Sequence, residues 1–198
     1  LSLAKVEKFD NALVEFDKVL AVNKKFFLAF YNKGIIFEKF GKLDFALKNY
    51  NKALDLRPDI AELHLRVANV LDDQGHLNEA IKSYMNSVKI NPKLADAYSN
   101  LGMVYQKKGS LDKAISCYSD ALTLDPDMLE TRFNLGLALF KMNKLDDAEI
   151  CFKKVINSEQ NMYLAIYFLG NLYKKKGLYK DSIQQYKKAL EIKPNHIG

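Results

Sequence analysis

Tryptophan is missing from this 198-residue chain, and arginine is scarce: Arg57, Arg66 and Arg132 stand against 27 lysines. Arginine is the side chain suited to a two-pronged grip on phosphate. A net charge of +6 carried by lysine therefore describes a solvated surface first and an acidic-partner surface second. The shortage of arginine, with no clustered basic and aromatic face, argues against nucleic acid as the partner. Only Cys117 and Cys151 carry thiols. They read as two reduced cysteines of a cytoplasmic protein, and the lack of an Asn-x-Ser/Thr sequon agrees. His64, His76 and His196 are scattered, and no Cys-x-x-Cys or His-x-x-x-His pair exists, so no metal ligand set is expected. No serine sits in a Gly-x-Ser-x-Gly elbow, and no glycine run could cradle a phosphate. Paired acids such as Asp146 and Asp147 fall in first helical turns, where they favour the helix dipole. We expect neither a cofactor nor a catalytic site. Apolar runs span only a few residues, so no membrane span is expected. The chain opens on Leu1 with charges interleaved among apolar residues, which reads as a fragment or as a chain whose leader was removed.

Proline and glycine are few, and their placement is regular. The four prolines, Pro58, Pro92, Pro126 and Pro194, fall on one series of step 34, with Gln160 in the gap. Two glycine series share that step. One is Gly34, Gly102, Gly136 and Gly170, with Ala68 in the gap. The other is Gly41, Gly75, Gly109 and Gly177, with Asn143 in the gap. Ala46, Ala80, Ala114, Ala148 and Ser182 form a further series. Tyr50, Tyr84, Tyr118, Phe152 and Tyr186 form an aromatic one. No insertion breaks the register.

Each series has a physical task. Apolar steps of three and four place Ala97, Leu101, Val104 and Tyr105 on one helical face. Leu111, Ala114, Ile115, Tyr118, Ala121 and Leu122 occupy the face of a second helix. Gly109 lies between the two, where a helix ends in a left-handed residue that glycine adopts without strain. Asn143 is the next-best residue for that place. Pro126 stops the second helix. Gly102 and Ala114 are small where two helix backbones are expected to approach, and Tyr118 fills the remaining space. Each copy is thus a helix–turn–helix hairpin, and stacked copies share a continuous core.

This pattern resembles the tetratricopeptide repeat (TPR) family, whose signature "NLGMVYQKKGSLDKAISCYSDALTLDP" matches almost throughout. The resemblance implies an all-α, right-handed superhelical solenoid. It predicts one array over 1–198, with a partial copy at 1–26 and full copies at 27–60, 61–94, 95–128, 129–162 and 163–196. Copy 129–162 departs most. Gln160 replaces proline, Val155 a small residue, and Glu149 an aliphatic one, so a looser joint is expected around Val155–Asn161. Lys33 stands where other copies carry Val67, Leu101, Leu135 and Leu169, and is expected to snorkel. Ile183 and Leu190 lack a following helix, and solenoids need polar caps. Self-association through such uncapped ends is one expectation.

The resemblance also implies a concave groove lined by first helices that receives a peptide or a partner helix. Helical phase assigns to it Tyr31, Asn32, Arg66, Asn69, Asn100, Met103, Lys107, Phe133, Asn134, Leu137, Lys141, Tyr167, Phe168, Asn171 and Lys175. Leu65 and Ser99 share this face. Asn32, Asn100 and Asn134 form a column suited to a peptide main chain, because an amide both donates and accepts. That column is similar to the groove asparagines of O-linked N-acetylglucosamine transferases. Lys39, Lys107, Lys141 and Lys175 form a second column. Phe133, Leu137, Leu164, Tyr167 and Phe168 form an apolar patch expected to mark an interface. The Lys–Asn–Asn–Lys–Arg clamp of co-chaperones that hold a chaperone's C-terminal carboxylate is broken here. Asn69 and Asn100 match two of its places, but Leu65, Glu130 and Asn134 replace its basic residues. The expected function is a scaffold or adaptor for a protein or peptide ligand. The alternative is the substrate-binding TPR arm of a larger enzyme such as a glycosyltransferase.

Overall fold

A computed structural model describes residues 3–158 and 162–194, with side chains from residue 9 onward. Among the described residues every regular element is a helix, eleven in all. The helix α1 (Leu3–Val22) is followed by five hairpins. These pair α2 (Phe27–Lys39) with α3 (Leu43–Leu56), α4 (Ala61–Asp73) with α5 (Leu77–Ile90), α6 (Ala95–Lys107) with α7 (Leu111–Leu124), α8 (Leu129–Lys141) with α9 (Leu145–Ser158), and α10 (Tyr163–Lys175) with α11 (Tyr179–Ile192). Two compact units, Leu1–Ala97 and Tyr98–Gly198, divide within α6.

The turn chemistry expected from the glycine series is present. Gly41, Gly75, Gly109 and Gly177 have φ between 68° and 79°, and Asn143 has φ 62°. After α6, Gly109 N–H donates to Gln106 O at 3.0 Å and Ser110 N–H to Tyr105 O at 2.9 Å. That is the reciprocal pattern that satisfies the last helical carbonyls around a left-handed residue. The second helices end on an extended residue whose N–H still reaches back, as Asp125 does to Ala121 O at 2.8 Å. Pro126 then prevents continuation.

In the first unit the core is built from Ala29, Ile36, Ala46, Tyr50 and Ala53 of the first hairpin. Leu63, Val67, Ala68, Val70, Leu71, Ala80 and Tyr84 of the second complete it. The second unit buries Ala114, Tyr118, Phe133, Leu135, Ala138, Leu139, Ala148, Phe152, Val155, Ala165, Leu169 and Leu172 in one cluster. The small residues on the first helices lie under aromatic rings, the filling expected of Tyr118. A Cβ on Gly102 would stand 2.6 Å from Tyr118 Cε1, and one on Gly34 2.4 Å from Tyr50 Cε1. Gly136 faces Phe152 and Gly170 faces Tyr186 in the same way. Each ring packs against the first helix of its own hairpin. Ser182 replaces alanine in its series at no polar cost, because its buried hydroxyl donates to Gly170 O at 2.9 Å.

The irregular joint expected after copy 129–162 falls partly on 159–161, which lie outside the described residues. On the described side Val155 is fully buried. Glu149 accepts from Tyr173 Oη at 3.0 Å, from Lys176 Nζ at 2.6 Å and from Lys153 Nζ at 2.7 Å. A carboxylate has replaced the aliphatic contact by three donors, two of them from the next hairpin. Lys33 likewise finds a partner. Its amine reaches Asp17 on α1, and its side chain keeps 14% of its exposure.

Candidate functional site

The residues assigned to a partner lie on the first helices, α2 and α4 in the first unit, α8 and α10 in the second, and α6, within which the units divide. By repeat position in the sequence they form three columns. The outermost holds Lys39, Lys107, Lys141 and Lys175, all exposed. Two of these lie against aromatic rings, Lys39 Nζ 5.8 Å from the centre of Phe9 and Lys175 Nζ 5.2 Å from that of Phe140. The middle column, Asn32, Arg66, Asn100, Asn134 and Phe168, is half-buried throughout. Asn32 turns its amide back to Leu28 O at 2.9 Å. Arg66 pairs with Glu62 at 3.0 Å and lies 3.6 Å from Glu38.

The third column is where the sequence reading and the structure differ. Phe133 is only 7% exposed and belongs to the core, not to an open apolar patch. Its ring lies 5.9 Å from Phe152 and 5.8 Å from Phe168. Leu65 is buried, and so is Ser99, whose hydroxyl meets Thr131 Oγ1 at 2.7 Å. The reason is geometric. In the second unit α8 packs against its hairpin partner α9 and also beside α10, so Phe133 lies in a seam. Tyr31 and Tyr167, at equivalent places, stay half-exposed. Phe168 packs partly buried among Phe133, Phe140, Phe152 and Tyr167, with ring centres 5.5–6.5 Å apart. Met103 and Leu137 are also half-buried against this core.

Asn69 and Asn171 have a structural task that sequence reasoning missed. Tyr84 Oη donates to Asn69 Oδ1 at 2.7 Å, and Tyr186 Oη to Asn171 Oδ1 at 2.7 Å. Elsewhere the ring hydroxyl finds its acceptor one turn along. Tyr50 donates to Glu38, and Tyr118 to Gln106 at 3.3 Å. Burial, and then the bond to Glu38, push the Tyr50 hydroxyl far above its ordinary pKa, so it acts as a neutral donor. Phe152 has no hydroxyl, and Leu137 and Phe140 stand in the two acceptor places. A signal was present in the sequence, in the matching of acceptor to hydroxyl copy by copy.

The remaining chemistry is quiet. Cys117 and Cys151 are free and buried, and burial pushes the Cys117 thiol up to about 11. Such a thiol is a poor nucleophile. Among the described residues no helix is long and apolar enough to cross a membrane. Exposed apolar side chains occur on α11, where Ile183 is 55% and Leu190 37% exposed.

Among the described residues ten helices paired into five hairpins of constant period, with left-handed turn residues and ring-on-glycine packing, define a helical repeat protein. Residues 27–60, 95–128 and 163–196 match the Tetratricopeptide repeat family, 129–162 match a second Tetratricopeptide repeat pattern, and 68–109 match a TPR repeat pattern. The chain belongs to the tetratricopeptide repeat family. No curated protein sequence matches it. Among solved structures it is similar to YrrB, described as "a TPR protein with an unusual peptide-binding site", at 25% identity and TM-score 0.83, over 91% of this chain and 93% of that one. It is also similar to MamA, at 28% identity and TM-score 0.79, over 81% of this chain and 94% of that one. A MamA segment from Desulfovibrio magneticus RS-1 shares the fold at 16% identity and TM-score 0.81, over 87% and 97% of the two chains.

Proposed function

We propose that this TPR chain is a non-enzymatic scaffold or adaptor that holds a peptide segment, or a helix of a partner protein, along the first helices α8 and α10 of its second unit. The observation that carries the reading is the state of the outer two columns. The core closes without Asn134, Lys141 and Lys175, and these side chains remain half-open or exposed on α8 and α10. Asparagine supplies both a donor and an acceptor to a peptide main chain, and lysine meets acidic side chains. The peptide-binding site named for YrrB supports the same reading, since 91% of the chain aligns with that fold. The rival reading, the substrate-binding arm of a larger enzyme, draws on the asparagine column. Arg66 and Phe168 interrupt that column, and Asn32 spends its amide on Leu28 O.

Photo-crosslinking tests the proposal. A benzophenone amino acid is placed at Asn134 or Lys141 on first helices, and at Lys82 or Asp120 on exposed faces of second helices. The same partner is expected to be captured from Asn134 and Lys141 and not from Lys82 or Asp120. Capture from the second-helix positions alone would overturn it.

A further inference from the structure

One residue column on the first helices has a consequence for binding in the second unit. It contains Phe30, His64, Tyr98, Arg132 and Ile166. The first four are large, and three are seen to close the space beside them. Phe30 presents its ring to Lys52, whose Nζ stands 5.3 Å from the ring centre. His64 Nε2 lies 2.9 Å from Pro58 O, and Arg132 Nη2 donates to Pro126 O at 2.6 Å. In the last hairpin the column shrinks to Ile166, which is buried. A cleft of about 520 Å³ opens there, with Ile156 of α9, Ile166 of α10 and Ile192 of α11 in its lining and Lys188 and Glu191 beside them.

Lys188 occupies in this hairpin the place that Lys52 occupies in the first. The last hairpin therefore keeps the lysine of a cation–ring pair and lacks the ring. It is also the charged end of the chain. Residues 163–196 carry seven lysines against Asp181 and Glu191, which is five of the six net positive charges.

We propose that this cleft receives an aromatic side chain from a partner protein, presented on a segment whose flanking residues are acidic. The ring takes the place that Phe30 fills in the first hairpin, lies on Ile166 and Ile192, and meets the Lys188 ammonium on its negative face. The flanking carboxylates face Lys187 and Lys188, one helical turn before Glu191. The site is separate from the first-helix face proposed above, and the two stand or fall independently.

The test is methyl NMR of the full chain, titrated with a peptide of a single phenylalanine between two runs of three glutamates, and with the same peptide carrying alanine instead. The phenylalanine peptide is expected to move the Ile156, Ile166 and Ile192 methyls upfield through its ring current, and the alanine peptide to leave them in place. Ile166→Phe rebuilds the side chain found at Phe30, fills the cleft, and is expected to abolish the shifts. Lys188→Gln, at an exposed position that folding does not depend on, should weaken binding roughly two- to fivefold. Asn134→Ala should change nothing here. Equal shifts with both peptides, no shift with either, undiminished binding to a folded Ile166→Phe chain, or unchanged affinity in Lys188→Gln would each overturn the proposal.

Discussion

Tyr84 Oη donates a 2.7 Å hydrogen bond to Asn69 Oδ1, joining the buried ring of α5 to the first helix of its own hairpin. The bond is one of a set in which hydroxyl and acceptor change together. Tyr50, Tyr118 and Tyr186 each find an acceptor on their own hairpin, and Phe152 faces Leu137 and Phe140 instead. A buried hydroxyl or amide left without its partner costs about 1–3 kcal/mol, whereas removing both is nearly neutral.

A double-mutant cycle measures this directly. Tyr84→Phe and Asn69→Leu are each expected to lower unfolding stability by about 1 kcal/mol in urea denaturation. The double variant, which copies the apolar arrangement of Phe152 and Leu137, should lose less than the sum of the two. Strict additivity would show that the pair does not interact.

The left-handed turn residues give a second prediction. A Cβ added at Gly109 would meet nothing within 4 Å, so only the backbone conformation at φ 77° opposes a side chain there. Gly109→Ala is expected to cost about 1 kcal/mol. Asn143→Gly, at φ 62°, should be neutral or stabilising. Thermal unfolding of the two variants reads both signs.

Glu149 predicts the acid limb of the stability curve. Burial alone would raise its pKa, but the hydrogen bonds from Lys153, Lys176 and Tyr173 outweigh this and hold the carboxyl at about 2. Its folded pKa lies below the ordinary 4.5, so the stabilisation is complete above pH 4.5 and drains away as pH falls toward 2. Wild type should therefore lose more melting temperature than Glu149→Gln between pH 5 and about 2.5. Parallel curves would mean that the carboxylate is no more stabilised folded than unfolded.

Much of the fold was legible because its signals are local. Gly109 and Pro126 constrain their own dihedrals, and a 34-residue step repeats them wherever a helix must end. Contacts between helices were harder to read. The burial of Phe133 follows from a seam between neighbouring first helices, and a single helical wheel has no such seam. The filling of the space at Gly102 by Tyr118, within one hairpin, was the exception. Asn69 and Asn171 looked like binding residues because asparagine suits a peptide backbone. Their acceptor oxygens are taken by Tyr84 and Tyr186. Lys39, Lys107, Lys141 and Lys175 are exposed, which position on the helix alone sets.

The most direct test of the account is the affinity of a crosslinked partner's binding segment, measured by calorimetry against wild type and against an Asn134→Ala, Lys141→Ala variant with unchanged melting temperature. If the first-helix face holds the partner, the variant should bind at least tenfold more weakly, a loss of about 1.4 kcal/mol or more. Equal affinity for both would contradict the account and move binding away from the first helices.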